Sequence, residues 1–213
     1  MARVPLCAAL SALLACAFPA RAAVIDVAVA DSTGHPAANA VVSLVREDGA
    51  MPASQLPEEA MIDQRHETFI PLVTILRHGG RVIFTNHDTT MHQVYSFSPP
   101  KQFAFEVDEG RRSEPVVFDK PGIVSIGCNI HDQMIAYVFV AATPWAAMSD
   151  AEGHARFADV PAGKYRAEVW HPQLLPGRPP PAAALNVSGD SSLTLAIPLL
   201  AKAPVRHMHM GAY

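Results

Sequence analysis

The chain has 213 residues, half of them hydrophobic and 17% charged, a composition that excludes a disordered polypeptide and supplies one large core or two small ones. The formal net charge is −4 and no stretch concentrates Lys and Arg, which excludes a partner gripped through its phosphates; no nucleic acid is expected.

Residues 1–22 read as a secretory signal peptide. Arg3 precedes an apolar run from Pro5 to Phe18, and Ala20-Arg21-Ala22 forms the small-residue cleavage site. The run is too short to cross a bilayer and no other stretch approaches that length, so no transmembrane segment is expected. Cleavage after Ala22 removes Arg3 and Arg21, takes the charge to about −6, and implies a periplasmic protein. Leu13-Leu14-Ala15-Cys16 loosely matches a lipid-attachment box, the alternative in which Cys16 carries a lipid anchor. Cys7 and Cys16 lie in the leader, so Cys128 is the single cysteine of the mature chain. In an oxidising compartment such a thiol is either buried and inert or protected by a metal.

Beyond the leader no helical period is found. VIDVAVA (24–30) and AVVSLV (40–45) flank the turn-rich DSTGHPAAN, and a polar linker runs from Arg46 to Glu59. Seven short strands follow: FIPLVTIL (69–76), RVIFTN (81–86), HQVYSF (92–97), FAFEV (103–107), EPVVF (114–118), GIVSIGC (122–128) and MIAYVFV (134–140). Their spacing predicts an all-β sandwich or barrel of about 80 residues. Val124, Ile126 and Cys128 share one parity, which predicts that Cys128 extends an inward-facing column.

After Pro144, SDAEGHARFADVPAGKYRAEVWHP (149–172) resembles the carboxypeptidase-regulatory or transthyretin-like β-sandwich, and DSTGHPAANAVVSL (31–44) resembles the opening hairpin of the same module. This implies a small sandwich built from 24–50 and 144–199, interrupted by the seven-strand domain; two modules in series are the alternative. Trp145, Tyr165 and Trp170 are expected in its core. Residues 200–213 form a tail, whose His207-Met208-His209-Met210 could capture copper or stay solvated.

GCNIHDQM (127–134) concentrates the chemistry. Cys128 ends one strand and Met134 begins the next, so a tight hairpin connection carries His131 at its tip. A thiolate, an imidazole and a thioether are thus presented from one turn. TNHDTTMHQV (85–94) offers a further imidazole: His92 opens a strand and is preferred, while His87 lies in the preceding loop as a competitor. Two imidazoles, one thiolate and a weak axial thioether make the blue-copper set. Zinc prefers a stronger fourth donor, and c-type haem needs a CxxCH sequence that is absent.

PGIVSIGCNIHDQM, with TMHQV upstream, resembles the cupredoxins of the plastocyanin and amicyanin type over about 61–142, and its Cys-x2-His-x2-Met spacing is that of amicyanin. The whole arrangement is similar to exported cupredoxin-containing proteins of the methylamine utilization type. The resemblance implies a Greek-key β-sandwich, copper (Cu+/Cu2+) held by His92, Cys128, His131 and Met134, and a one-electron carrier that is not an enzyme. It implies His131 as the electron port, ringed by an apolar patch for which Ile130, Met91 and Pro99 are candidates. A c-type cytochrome or a periplasmic dehydrogenase is the kind of redox partner expected. One position departs: many cupredoxins carry Asn or Ser directly after the first ligand His, where this chain has Gln93, leaving Asn86 or Asn129 to brace the ligand loop. A copper-delivery or copper-resistance protein without electron transfer is the competing function, and a structural sandwich with an inert Cys128 a third. His35, His66, His78, His154 and His171 show no mutual ligand spacing, and no catalytic Ser/His/Asp, phosphate-loop or paired-carboxylate pattern is found.

Overall fold

A computed structural model describes residues 22–174 and 179–200. Residues 1–21 of the signal peptide expected up to Ala22, the Cys16 lipid-anchor alternative, and the segment from Ala201 with its His-Met pairs lie outside the described residues.

The described residues are all-β, with no helix long and apolar enough to cross a membrane. β1 (Ala23–Asp31) and β2 (Val41–Arg46) come first. β3 (Glu59–Gln64), β4 (Phe69–Ile70), β5 (Val73–Arg77), β6 (Gly80–Asn86), β7 (His92–Ser96), β8 (Phe103–Val107), β9 (Val116–Phe118), β10 (Gly122–Cys128) and β11 (Ile135–Ala141) follow. β12 (Ala146–Met148), β13 (His154–Val160), β14 (Gly163–Trp170), β15 (Ala182–Val187) and β16 (Ser191–Ile197) complete the set.

β3 to β11 make one sandwich. A five-stranded sheet in the order β5-β11-β10-β7-β8 packs on a four-stranded sheet β4-β3-β6-β9. Side chains alternate across each strand, so every second residue reaches the shared core. Ile62, Val82, Phe84 and Phe118 enter from one sheet, Val94, Val124, Ile126, Ala136 and Val138 from the other. Val124, Ile126 and Cys128 are 0, 1 and 2% exposed, as their common parity requires. Phe84 anchors the layer, its ring 5.6–6.5 Å from those of Phe69, Phe103 and Phe105.

Nine strands stand where seven are expected. FIPLVTIL divides because Pro71 has no N–H to give a ladder; β4 joins one sheet and β5 the other. β3 falls where the linker was expected to end, and its composition explains the miss. EAMIDQ buries only Ile62 and Gln64 completely, so it carries little apolar alternation.

β1, β2 and β12–β16 make a second sandwich from the sheets β13-β1-β16 and β12-β2-β14-β15. β12 pairs antiparallel with β2, Ala146 opposite Ser43, so the chain closes this unit only after the first is complete. Ile25, Val27, Leu44, Val169, Trp145 and Tyr165 fill its interior, the last two with ring centroids 5.4 Å apart. The turn before β13 needs Gly153: φ is +83°, and a Cβ there would lie 2.4 Å from the Val29 carbonyl oxygen.

Trp170 departs from the expected core position. It lies between the sandwiches, 5.3 Å from the Tyr137 ring and 6.2 Å from that of Phe139, both on the outward face of β11. Val41, Val73, Ala141 and Ala146 complete the buried contact. This apolar layer joins the two units and covers the outward face of β5 and β11.

Candidate metal centre

Two neighbouring strands assemble the site. Cys128, the last residue of β10, pairs with Val94 of β7, two residues after His92. His92 opens β7 opposite Val107 of β8 and is fully buried. The loop between β10 and β11 folds back: the Met134 N–H donates to the His131 carbonyl at 3.0 Å, which brings the His131 side chain over the strand ends. His92 Nδ1 then lies 3.7 Å from Cys128 Sγ and 3.3 Å from His131 Nδ1. These three donor atoms lie within 4.8 Å of one another, and among the described residues no carboxylate joins them. Met134 is 2% exposed and belongs to the same core cluster as Cys128. His87 is elsewhere, half-exposed and bonded through Nδ1 to Asp63.

The outer nitrogen of each imidazole meets a carboxylate. His92 Nε2 is 2.8 Å from Asp88 Oδ2. A carboxylate at neutral pH can only accept, so the proton sits on Nε2 and the Nδ1 lone pair points inward. His131 Nε2 lies 3.5 Å from Glu67 Oε1. Asp88 also accepts the backbone N–H groups of His66 and Glu67. Burial pushes the Asp88 carboxyl up, but the Glu67 N–H, the His92 imidazole and the His66 N–H together hold it below the ordinary carboxylate range.

Register explains how Asp88 meets that turn. β3 pairs in parallel with β6, Gln64 beside Asn86, and the His87 N–H donates to the Gln64 carbonyl at 2.8 Å. The β3–β4 turn therefore runs beside the loop that leads into β7. Asn86 braces this loop: its amide donates to the Thr90 and Val107 carbonyls at 2.8 and 2.9 Å, and its oxygen accepts the Asp88 N–H. The position after His92 is braced as well. Asn129 Nδ2 donates to Gln93 Oε1 at 2.7 Å, and the Asn129 N–H donates to the Gln93 carbonyl at 3.0 Å. Asn129 thus ties the ligand loop to β7 by donating twice to Gln93.

The donors fit one small, soft cation. Separations of 3.3 and 3.7 Å match those that an ion bonding N and S at about 2.0–2.3 Å imposes on neighbouring ligands. A closed zinc site would need a fourth strong donor, and among the described residues no further His, Cys, Asp or Glu converges. Asp88, Glu67 and Gln133 were missed in the sequence. The Asp88 to His92 spacing of four was a legible signal; Glu67 and Gln133 had none, because only tertiary pairing brings their loops together.

No protein-family model and no curated protein matches the chain. Among solved structures, it is similar to a novel purple cupredoxin from Nitrosopumilus maritimus at 23% identity, over 38% of this chain and 99% of that one, with a TM-score of 0.35. It is similar to a mutant of amicyanin in its Cu(I) form at 13% identity, over 47% of this chain and 98% of that one, with a TM-score of 0.36. It is also similar to the Cu-containing nitrite reductase of Thermus scotoductus SA-01 at 22% identity, over 54% of this chain and 28% of that one, with a TM-score of 0.36.

Proposed function

We propose that this protein is a type 1 copper protein, exported to the periplasm, that carries single electrons and catalyses no reaction of its own. The observation that carries the reading is the convergence of His92 Nδ1, Cys128 Sγ and His131 Nδ1, with Met134 buried beside Cys128. When bound, copper supplies a one-electron change between Cu(I) and Cu(II).

The chain's own residues prepare that change. Asp88 and the β7 ladder hold His92, the β10 ladder holds Cys128, and the Asn129–Gln93 pair holds the loop that bears His131. A donor set fixed from outside leaves little to reorganise when charge changes, which favours fast electron transfer. His131 alone among the three donors reaches the surface, at 20% side-chain exposure. Ile130 beside it is 49% exposed and supplies apolar contact area for a partner such as a c-type cytochrome or a periplasmic dehydrogenase. Pro99 is exposed and Met91 half-buried.

The test is a visible absorption spectrum of the mature protein after addition of Cu(II), repeated on Cys128→Ser. An intense thiolate-to-copper band that vanishes in the variant is expected. A weak or absent band in the wild type would overturn the electron-carrier reading and favour copper delivery.

A further inference from the structure

Glu67 stands beside the outer nitrogen of His131. The Glu67 side chain is 52% exposed, its Oε1 is 3.5 Å from His131 Nε2, and its Oε2 accepts a hydrogen bond from Gln133 Nε2 at 3.0 Å. The carboxylate therefore grips the ligand loop at two points, His131 and Gln133, and adds a negative charge beside the only donor that reaches solvent.

The backbone that delivers Glu67 is strained. The turn Arg65–Thr68 is closed by the Arg65 N–H to the Thr68 carbonyl at 3.0 Å and the Thr68 N–H to the Arg65 carbonyl at 3.2 Å. His66 and Glu67 occupy its centre at φ of +52° and +54°. Hairpin turns of this hand favour Asn-Gly, because side chains are disfavoured at positive φ. Asp88 takes both central N–H groups and so stabilises the costly conformation. An Asn-Gly turn would form more readily but would place nothing over His131. The other charge on this turn, Arg65, is engaged by Asp63 at 3.3 Å and does not offset Glu67 directly.

We propose that Glu67 is a specificity-determining residue: it makes the electron port anionic and selects a redox partner whose docking surface is cationic. The inference rests on the redox role proposed above, with His131 as the port. Ile130 provides apolar contact common to any partner, and Glu67 discriminates by sign, through approach rate more than through affinity.

The test uses the metal-free protein, so it does not depend on the blue band. Two inert paramagnetic probes of opposite charge, hexaamminechromium(III) and hexacyanochromate(III), are titrated while the His131 ring proton is followed by NMR. The expected result is broadening by the cation stronger on the order of tenfold at low salt, since one charge several ångströms from a trivalent probe acts through water, is only partly screened, and attracts one probe as much as it repels the other. Glu67→Gln should cut the cation's advantage about fivefold or more, leaving the share that the exposed Asp132 and the net negative charge supply, and Glu67→Lys should cut it further. Equal broadening in the wild type, or a preference unchanged in Glu67→Gln, would overturn the proposal. In copper-loaded protein, the oxidation rate by hexacyanoferrate(III) should rise about threefold in Glu67→Gln with the visible band unmoved. A missing band with the broadening pattern intact would sink the electron-carrier reading instead and leave the anionic rim standing.

Discussion

Asp88→Asn is the most informative perturbation of the site. The carboxylate, 10% exposed, accepts three bonds: His66 N–H on Oδ1, and Glu67 N–H and His92 Nε2 on Oδ2 at 3.0 and 2.8 Å. Asparagine keeps the shape but turns one acceptor oxygen into a donor. Whichever way the amide faces, at least one N–H meets another N–H, and the remaining bonds lose their charge assistance. A buried donor left unsatisfied costs about 1–3 kcal/mol, and bonds to charged acceptors contribute about 1.5–3 kcal/mol each, so an overall loss of about 2–4 kcal/mol is expected at pH 7. Copper affinity should fall about 10–100-fold, because the partner that orients His92 is weakened. The pH dependence has a definite sign. Asp88 is held below its ordinary value when folded, so its contribution is complete above about pH 4 and fades as pH falls through the folded value. Urea unfolding of both metal-free proteins at pH 7 and pH 3.5, with a competitive Cu(II) titration, reads all three effects. A loss below about 0.5 kcal/mol at pH 7, or a difference that grows on acidification, would refute the assignment of Asp88 as the clamp.

Two further predictions concern the joint between the sandwiches. Trp170→Ala removes the ring packed edge-on against Tyr137 and tilted against Phe139 and should cost about 2–3 kcal/mol, lowering the melting temperature by about 5–10 °C while leaving Cu(II) binding intact. A melting shift under about 2 °C would show that the aromatic layer does not couple the units. His171 is buried, with Nε2 3.0 Å from the Ala38 carbonyl and Nδ1 accepting the Gln173 N–H at 3.0 Å. Burial pushes its pKa down, against the pull of the Ala38 bond. The unfolded chain takes up this proton first as pH falls through about 6.5, so stability is lost from there down to the folded value. Melting temperature should therefore drop more steeply from pH 7 to pH 5 in the wild type than in His171→Asn; parallel curves would remove His171 as the cause.

Local pattern determined a good deal of this protein from sequence alone. The period-two alternation in GIVSIGC predicts a strand with Cys128 on its inner face, because neighbouring side chains on a strand must point oppositely. Cys128, His131 and Met134 share one hairpin connection, so their proximity follows from chain connectivity before any folding. His92 was legible as the residue that opens a strand. Other features needed the tertiary structure, since they depend on contacts between segments far apart in the chain. Only the parallel register of β3 on β6 sets the Arg65–Thr68 turn beside Asp88, and only that turn carries Glu67 to His131. Trp170 shows the same limit: alternation places it on one face of β14, but which body covers that face is decided by how the two sandwiches meet. Periodicity reports which side of a strand is buried; the partner that buries it is chosen by long-range pairing, which leaves no local mark.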